Sequence, residues 1–190
     1  MPNLHVIVCS VRVKRVGLAV GEWFRDLAQQ HGKFHVRLID LREVNLPVFD
    51  EPNHPRFQRY EFEHTKAWSR LVSEADAFAF VTPEYNFSTP PALNNALHYL
   101  YVEWQYKPAG FVSYGGIAAG ARGVQMTRQT VAALKMVPVP EAVHIPFIAK
   151  AIQDGKFAPT PQNETAARAL LDELSKWTDV LRSLRQPAQP

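Results

Sequence analysis

Three cations, Arg12, Lys14 and Arg15, fall within four positions directly after a short apolar run, and Ser10 opens the same segment. Residues 10–17 (SVRVKRVG) therefore bring a hydroxyl and three cations to the start of a helical pattern, with Val16 and Gly17 at its first turn. Backbone N–H groups and the helix dipole favour an anion there, and the cations add charge-assisted hydrogen bonds, so the segment suits a phosphate. It is neither a GxxxxGK[ST] loop nor a GxGxxG fingerprint. That turns the reading away from a hydrolysed nucleotide and from a dinucleotide in a Rossmann crevice. A solvated basic turn has the same composition, and spacing alone leaves the two open.

Residues 82–90 (TPEYNFSTP) are a second candidate. Tyr85 and Phe87 offer flat faces. Asn86 offers an amide and tolerates a left-handed backbone, and Ser88 or Thr89 can cap the helix that follows. The competing reading is a capping loop whose aromatics pack on the protein itself, and Phe87 taken alone favours it. Residues 113–120 (SYGGIAAG) are the third. Glycines after a buried strand permit close approach to something flat or charged. A tight turn without a ligand looks the same, but Gly115, Gly116 and Gly120 together tip the reading toward a ligand.

Other chemistries fit less well. Ser113 lies between strand and helix like a hydrolase nucleophile, but Phe111 replaces the first glycine of GxSxG. The acid and base that follow, Glu141 and His144, are three apart on an expected strand. Glu61/His64 and Glu141/His144 have the Glu-x-x-His spacing of di-iron bundles. The second pair lies beside Pro140 and Pro146, where a long helix does not fit, and no metal site is expected. Cys9 reads as a buried strand residue. The aromatic residues 99–106 (YLYVEWQY) could stack bases, but few cations interleave. Core or subunit contact is expected there, and no nucleic-acid partner.

The elements that must position these loops follow from periodicity. Residues 4–9 are a short apolar run rich in Val and Ile. Val16, Val20, Trp23 or Phe24, and Leu27 recur at helical spacing, and Gly32 ends that helix. Residues 34–39 alternate like an edge strand, and a long Pro-containing stretch fills 40–55. A helix is expected from near Phe57 through Trp68, Leu71 and Val72. Residues 75–82 read as a buried strand. Pro90 and Pro91 start a helix that presents Leu93, Ala96, Leu97 and Leu100. A strand at 109–113, a helix at 119–134 and a Pro-interrupted edge strand at 137–145 follow. The last helix carries Leu170, Leu174, Trp177, Leu181 and Leu184, and 186–190 is a frayed tail. Strand and helix alternate about five times, which argues for a parallel sheet covered on both faces. In such a sheet, ligands bind beyond the carboxyl ends of the strands, at the switch in strand order. All three loops lie there.

Composition sets the frame. The chain has 190 residues, 46% hydrophobic and 21% charged, which excludes a disordered chain, a coiled coil and a collagen-like fibre. One cysteine excludes a disulfide framework and a Cys-rich zinc site. No apolar run approaches the ~18 residues of a membrane span. A single domain over residues 1–185 is expected, in a reducing, cytoplasmic setting, with no membrane partner. A net charge of +3 is a weak argument for any polyanionic partner.

The three loops together resemble the NADPH-dependent FMN reductase family, the flavodoxin-like flavoproteins that include NAD(P)H quinone reductases, azoreductases and chromate reductases. Residues 10–17 are similar to the family's GSxRxxR loop, followed by Trp23-Phe24 in its AxWF helix. Thr82-Pro83-Glu84-Tyr85-Asn86, Pro90 and Leu93-Asn94-Asn95-Ala96 resemble TPEYN…P…LKNA, the most specific match. Residues 112–116 resemble VSxGG, and Asp40-Leu41 with Leu46-Pro47 resembles DL…LP. The likeness spans roughly residues 4–145. Departures are Cys9 for a usual Gly, Lys14 for a common Gly, Phe87 for a small residue, Asn94 for Lys and His98 for Asp.

The resemblance implies a flavodoxin-like α/β fold, a three-layer sandwich with five parallel strands in the order 2-1-3-4-5. It implies FMN as cofactor, with Ser10, Arg12 and Arg15 on its phosphate and Val16 and Gly17 beside them. Pro83, Glu84, Tyr85, Asn86 and Phe87 would line the ribityl chain and the ring. Ser113, Tyr114, Gly115 and Gly116 would flank the ring from the other side, their N–H groups facing its developing negative charge. NADPH or NADH would be the reductant, with ping-pong transfer to a quinone, free flavin, azo compound or similar small-molecule acceptor. No catalytic side chain is then required, because the flavin carries the chemistry. A homodimer or tetramer is implied. The alternative from another class is a flavodoxin-like electron carrier or interaction module without NADPH turnover.

Overall fold

The structure is a computed structural model that describes residues 1–185, so the expected tail at 186–190 lies outside the described residues. The chain runs β1 (Asn3–Val8), α1 (Gly17–His31), β2 (His35–Asp40), α2 (Leu41–Val44), α3 (Glu63–Ser73), β3 (Ala77–Pro83), α4 (Pro91–His98), β4 (Pro108–Tyr114), α5 (Ala121–Ala133), β5 (Val137–Ile145), β6 (Ile152–Gln153), β7 (Lys156–Phe157) and α6 (Pro161–Arg185). Strands β1 to β5 form one sheet in the order β2-β1-β3-β4-β5, all pairs parallel. The order expected from the family likeness is the one observed. The chain leaves β1 toward β2 and returns to its other side as β3, which makes the β1/β3 boundary the switch point.

Alternation along the strands sorts the core into two layers. Leu4, Val6, Ala77, Ala79, Val81 and Val112 face α1 and α6, while Ile7, Phe78, Phe80 and Phe111 face α3, α4 and α5. Gly110 lets α6 approach β4, since a Cβ there would lie 2.7 Å from Leu170 Cδ1. On the other face, Phe78 and Trp104 meet edge to face at 4.9 Å, and the Trp68 and Trp104 indoles donate to the Ala96 and Leu97 carbonyls at the end of α4. Tyr99 and Trp104 are fully buried, so this aromatic run is core. The Pro-rich β5 is an edge strand. Its register on β4 jumps from Ala109 opposite Pro138 to Phe111 opposite Ala142.

Two elements differ from expectation. The helix expected from Phe57 begins only at Glu63. Residues Pro55–Phe57 form a separate 3₁₀ turn capped by His54, and Gln58 ends it in a left-handed conformation. The buried Glu51 carboxylate then accepts from the Glu61 and Phe62 N–H groups, which supplies the partners that an earlier helix would have provided. The hairpin β6–β7 was not anticipated, although its Asp154-Gly155 turn, both residues at positive φ, carries the signal for one.

His5 on β1 is 2% exposed, edge-on to Phe78, and its Nδ1 has no hydrogen-bond partner. Burial, reinforced by Arg37 and Lys107, lowers its pKa to about 4. The unfolded chain therefore binds one more proton than the folded chain between pH 4 and 6.5. Stability falls by up to about 3 kcal/mol as pH drops through that window. His5→Phe is expected to flatten this part of the curve of melting temperature against pH. A variant that loses stability between pH 6.5 and 4 as steeply as the unaltered protein would show that His5 is not the group responsible.

Candidate active site

The three loops come together at the carboxyl edge of the sheet and enclose a cavity of about 290 Å³. Ser10, Arg12 and Lys14 line it from the first loop, Pro83, Glu84 and Tyr85 from the second, and Tyr114 and Gly115 from the third. Ile148, which follows the edge strand, closes the wall, and no sequence signal marked it. Its backbone reveals the cause: the Ile148 N–H donates to the Gly115 carbonyl at 3.0 Å.

The first loop is built to leave an anion site open. Helix α1 starts at Gly17 with no side-chain cap at Val16 and no acid in its first turn, so its leading N–H groups keep their affinity for a negative charge. Gly17 packs against Tyr114 so closely that a Cβ would sit 2.3 Å from the phenolic oxygen. That oxygen is buried without a hydrogen-bond partner, and burial, with Cys9 and Tyr85 adding, pushes the phenol pKa up. Tyr114 is thus a neutral donor without an acceptor, beside a serine hydroxyl and the exposed Arg12 and Lys14. Neither cation is in an ion pair among the described residues. A phosphate supplies the acceptor oxygens and charge that this set lacks, so the residues fit FMN.

Arg15 takes a different role from the one expected. It lines the cavity and is placed with the other two, but its guanidinium grips Asp40 through both outer nitrogens and donates to the Ser10 carbonyl at 3.0 Å. The pair is largely buried, with side chains 7% and 13% exposed. These guanidinium donors hold the loop to the end of β2, while Arg15 also lines the cavity. The Ser10 hydroxyl is 3.1 Å from Tyr85 Oη, which ties the first loop to the second.

In the second loop, Tyr85 and Ser88 pair through both backbone N–H groups around a two-residue turn. Asn86 and Phe87 both have positive φ, 50° and 65°, as that turn requires. Phe87 is thereby thrown outward, 61% exposed, with Arg122 stacked 3.8 Å from its ring centre. Neither Asn86 nor Phe87 lines the cavity. Ser88 and Thr89 do not cap α4 as expected. Pro90 holds the cap position, and the Thr89 hydroxyl bonds to Thr127 instead. Glu84 does cap a helix, but it is α5: its carboxylate accepts from the Arg122 and Gly123 N–H groups and pairs with the Arg122 side chain. Burial works to raise the Glu84 pKa, and these hydrogen bonds outweigh it and hold the carboxyl below its ordinary value.

In the third loop, Ser113 is fully buried. Its hydroxyl donates to the Ala119 carbonyl at 2.8 Å and lies 2.6 Å from His144 Nδ1. Burial, helped by Arg128, lowers the His144 pKa, so a neutral ring donates from Nδ1 to Ser113. The serine is a brace for the loop, and no acyl substrate can reach it. Glu141 does not join this pair, since its buried Oε2 has no partner. The other Glu-x-x-His pair is also engaged elsewhere: Glu61 accepts from Asn53, and His64 bonds Asp50. Cys9 is a buried thiol that donates to the Ile7 carbonyl. The Gly115 N–H, expected to face the ligand, donates to the Ile145 carbonyl at 3.1 Å. Among the described residues the Gly116 N–H has no such partner.

Breaking the Arg15–Asp40 pair leaves a largely buried guanidinium with the Ser10 carbonyl as its remaining partner, and loss of one partner of a buried pair costs up to about 3–5 kcal/mol. Asp40→Asn is expected to lower the melting temperature well beyond what surface substitutions do. A shift no larger than that of an exposed control such as Asp26→Asn would show that the clamp contributes little.

Comparison with known proteins agrees with this geometry. The sequence profile of the NADPH-dependent FMN reductases matches residues 2–150. The NAD(P)H-dependent FMN reductase ntnL of Nectria sp is 30% identical over 201 residues, covering all of both chains. A quinone reductase of Pseudomonas putida is 31% identical over 195 residues, covering 96% of this chain and 97% of its own. Among solved structures, the flavoenzyme NAD(P)H:(acceptor) oxidoreductase FerB of Paracoccus denitrificans superposes with a TM-score of 0.75 at 20% identity, over 95% of this chain and 98% of its own. The cationic loop, the uncapped α1 and the family match over most of the chain meet in one conclusion: this protein is an NAD(P)H-dependent, FMN-using oxidoreductase and belongs to the NADPH-dependent FMN reductase family.

Proposed function

We propose that the chain, as one FMN-binding domain over residues 1–185, passes electrons from NAD(P)H to a small flat acceptor of the quinone type. FMN, when bound, supplies the two-electron chemistry between donor and acceptor. The observation that carries the reading is the combination of an uncapped α1, the unpartnered Tyr114 hydroxyl and the free Arg12 and Lys14 around one cavity. Arg12 and Lys14 bind the phosphate by charge, and Tyr114 and Ser10 by hydrogen bonds. Arg15 and Asp40 hold the loop in shape. Tyr85, fixed through Ser10, and the braced Ser113–Ala119 loop form the two walls that orient the ring system. Glu84, Arg15 and Tyr85 are committed to structural bonds and Arg12 and Lys14 to the phosphate, so proton exchange is left to solvent. The quinone reductase of Pseudomonas putida supports the acceptor class.

A homodimer or tetramer in the cytoplasm completes this reading. An apolar groove of about 590 Å³ beside the first loop, lined by Val11, Leu46, Val48, Phe49 and His98 among others, supports self-association. Val48 is 87% exposed there. At micromolar concentration the chain is expected to sediment as a dimer or larger, and Val48→Glu as a monomer. A monomeric unaltered chain would remove the assembly from this reading.

The central test is an absorbance spectrum of the FMN-reconstituted protein before and after anaerobic NADPH. Retained flavin bands that bleach are expected, and bands that persist would favour an electron carrier without NADPH turnover. Arg12→Ala is expected to weaken FMN by about 1.5–3 kcal/mol, the range for a hydrogen bond to a charged group. Unchanged FMN affinity in that variant would take the phosphate away from this loop.

A further inference from the structure

One exposed aromatic on the rim of the cavity has no role in the reading above. Phe147 follows β5 and is 50% exposed, at φ 49°. A bulky residue in the left-handed region is disfavoured, and persists where its surroundings over-determine it. Here they do. The Phe147 N–H donates to the Gly116 carbonyl at 3.0 Å, and the adjacent Ile148 N–H to the Gly115 carbonyl. The ring is thus pinned to the glycine loop and presented to solvent. Lys150 Nζ lies 5.6 Å from its centre, and among the described residues Lys150 is in no ion pair. Ile148, between the two in sequence, lines the cavity, so the plate and its cation belong to the segment that forms one of its walls.

The other exposed ring at this edge differs in charge. Phe87 is covered on one face by Arg122, and Arg122 is neutralised by Glu84. Of these two rings, Phe147 alone stands beside a cation that is in no ion pair among the described residues. A dinucleotide whose nicotinamide reaches the flavin leaves its adenosine end outside a cavity of about 290 Å³. That end is a flat base carrying, in NADPH, an additional phosphate. Arg12 and Lys14 serve the FMN phosphate, so a second anion needs a cation beyond them.

We propose that Phe147 and Lys150 dock the adenosine 2′-phosphate end of NADPH, Phe147 by stacking on the base and Lys150 by pairing with the phosphate, so that this enzyme prefers NADPH to NADH. The proposal rests on the reading that NAD(P)H reduces FMN bound in this cavity. FMN-loaded protein tests it. Lys150→Gln is expected to lower kcat/KM for NADPH about fivefold, as suits an exposed charge pair, and to leave NADH within about twofold. Phe147→Ser is expected to lower kcat/KM about tenfold for both donors through KM, with kcat held, as loss of one base stack does. Calorimetric titration with adenosine 2′,5′-bisphosphate gives a readout independent of turnover. Its affinity is expected to fall in Lys150→Gln, while that of AMP is unchanged. An NADPH-to-NADH ratio that is the same in Lys150→Gln as in the unaltered enzyme would overturn the proposal alone. An unaltered chain that binds FMN but is reduced by neither donor would overturn it together with the reading beneath it.

Discussion

The site depends on one ion pair, Arg15 with Asp40. Three cations in four positions repel one another, and a loop carrying them tends to splay. Asp40, at the carboxyl end of the neighbouring strand, takes the third cation out of that repulsion and fixes the loop at a single point. The same guanidinium holds the Ser10 carbonyl, and the Ser10 hydroxyl in turn meets Tyr85. A parallel sheet makes this possible, because parallel pairing of β1 and β2 brings Val8 level with Asp40, and the loop after Val8 therefore starts beside that carboxylate. The remaining two cations are then free to act on a ligand rather than on the protein.

The other two loops are held on the same principle, with polar groups satisfied inside the protein so that backbone shape, not side-chain reach, defines the pocket. Glu84 caps α5 and fixes the second loop against the third. Ser113, His144 and the Ala119 carbonyl brace the third loop. Against this background the unpartnered Tyr114 hydroxyl stands out. Buried donors are nearly always satisfied, and at a cationic cavity a ligand oxygen can supply the partner that this one lacks.

Much of this was legible in the sequence because it depends on periodicity and on chain-local signals. The strand–helix alternation, Gly32 as helix end, Pro91 at the first turn of α4 and the clustering of three loops at one edge all rest on local chemistry. What could not be read was partnership across long separations. Arg15 looks identical to Arg12 in a string of residues, and only the register of β1 on β2 reveals that one has an acid beside it and the other has not. Glu84 reads equally as a ligand-liner or a cap for α5, 38 residues away. The start of α3 was misplaced because the Glu51 carboxylate, ten residues upstream, satisfies the N–H groups of Glu61 and Phe62. Phe87 reads in sequence as a flat face or as an aromatic packed on the protein, and the backbone turn that directs it outward belongs to Tyr85 and Ser88.

Charge placement explains why a chain of net charge +3 suits a reductase better than a carrier. A carrier that docks on protein partners needs one extended surface of complementary charge. A reductase alternates between an anionic donor and a small acceptor at one mouth, and needs positive charge only where the donor's phosphates fall. Several charged side chains away from the site pair within the protein, as Arg37 does with Glu74, Lys33 with Asp172 and Arg185 with Asp76. Unpaired cations line the loop after β1 and stand near the glycine turn after β4. Positive charge at the cavity raises the local concentration of an anionic donor there. Such steering is strongest at low ionic strength and fades over a Debye length of about 8 Å at physiological salt. An anionic donor is therefore drawn toward those cations over a short range, and an uncharged acceptor at the same cavity would not compete for them.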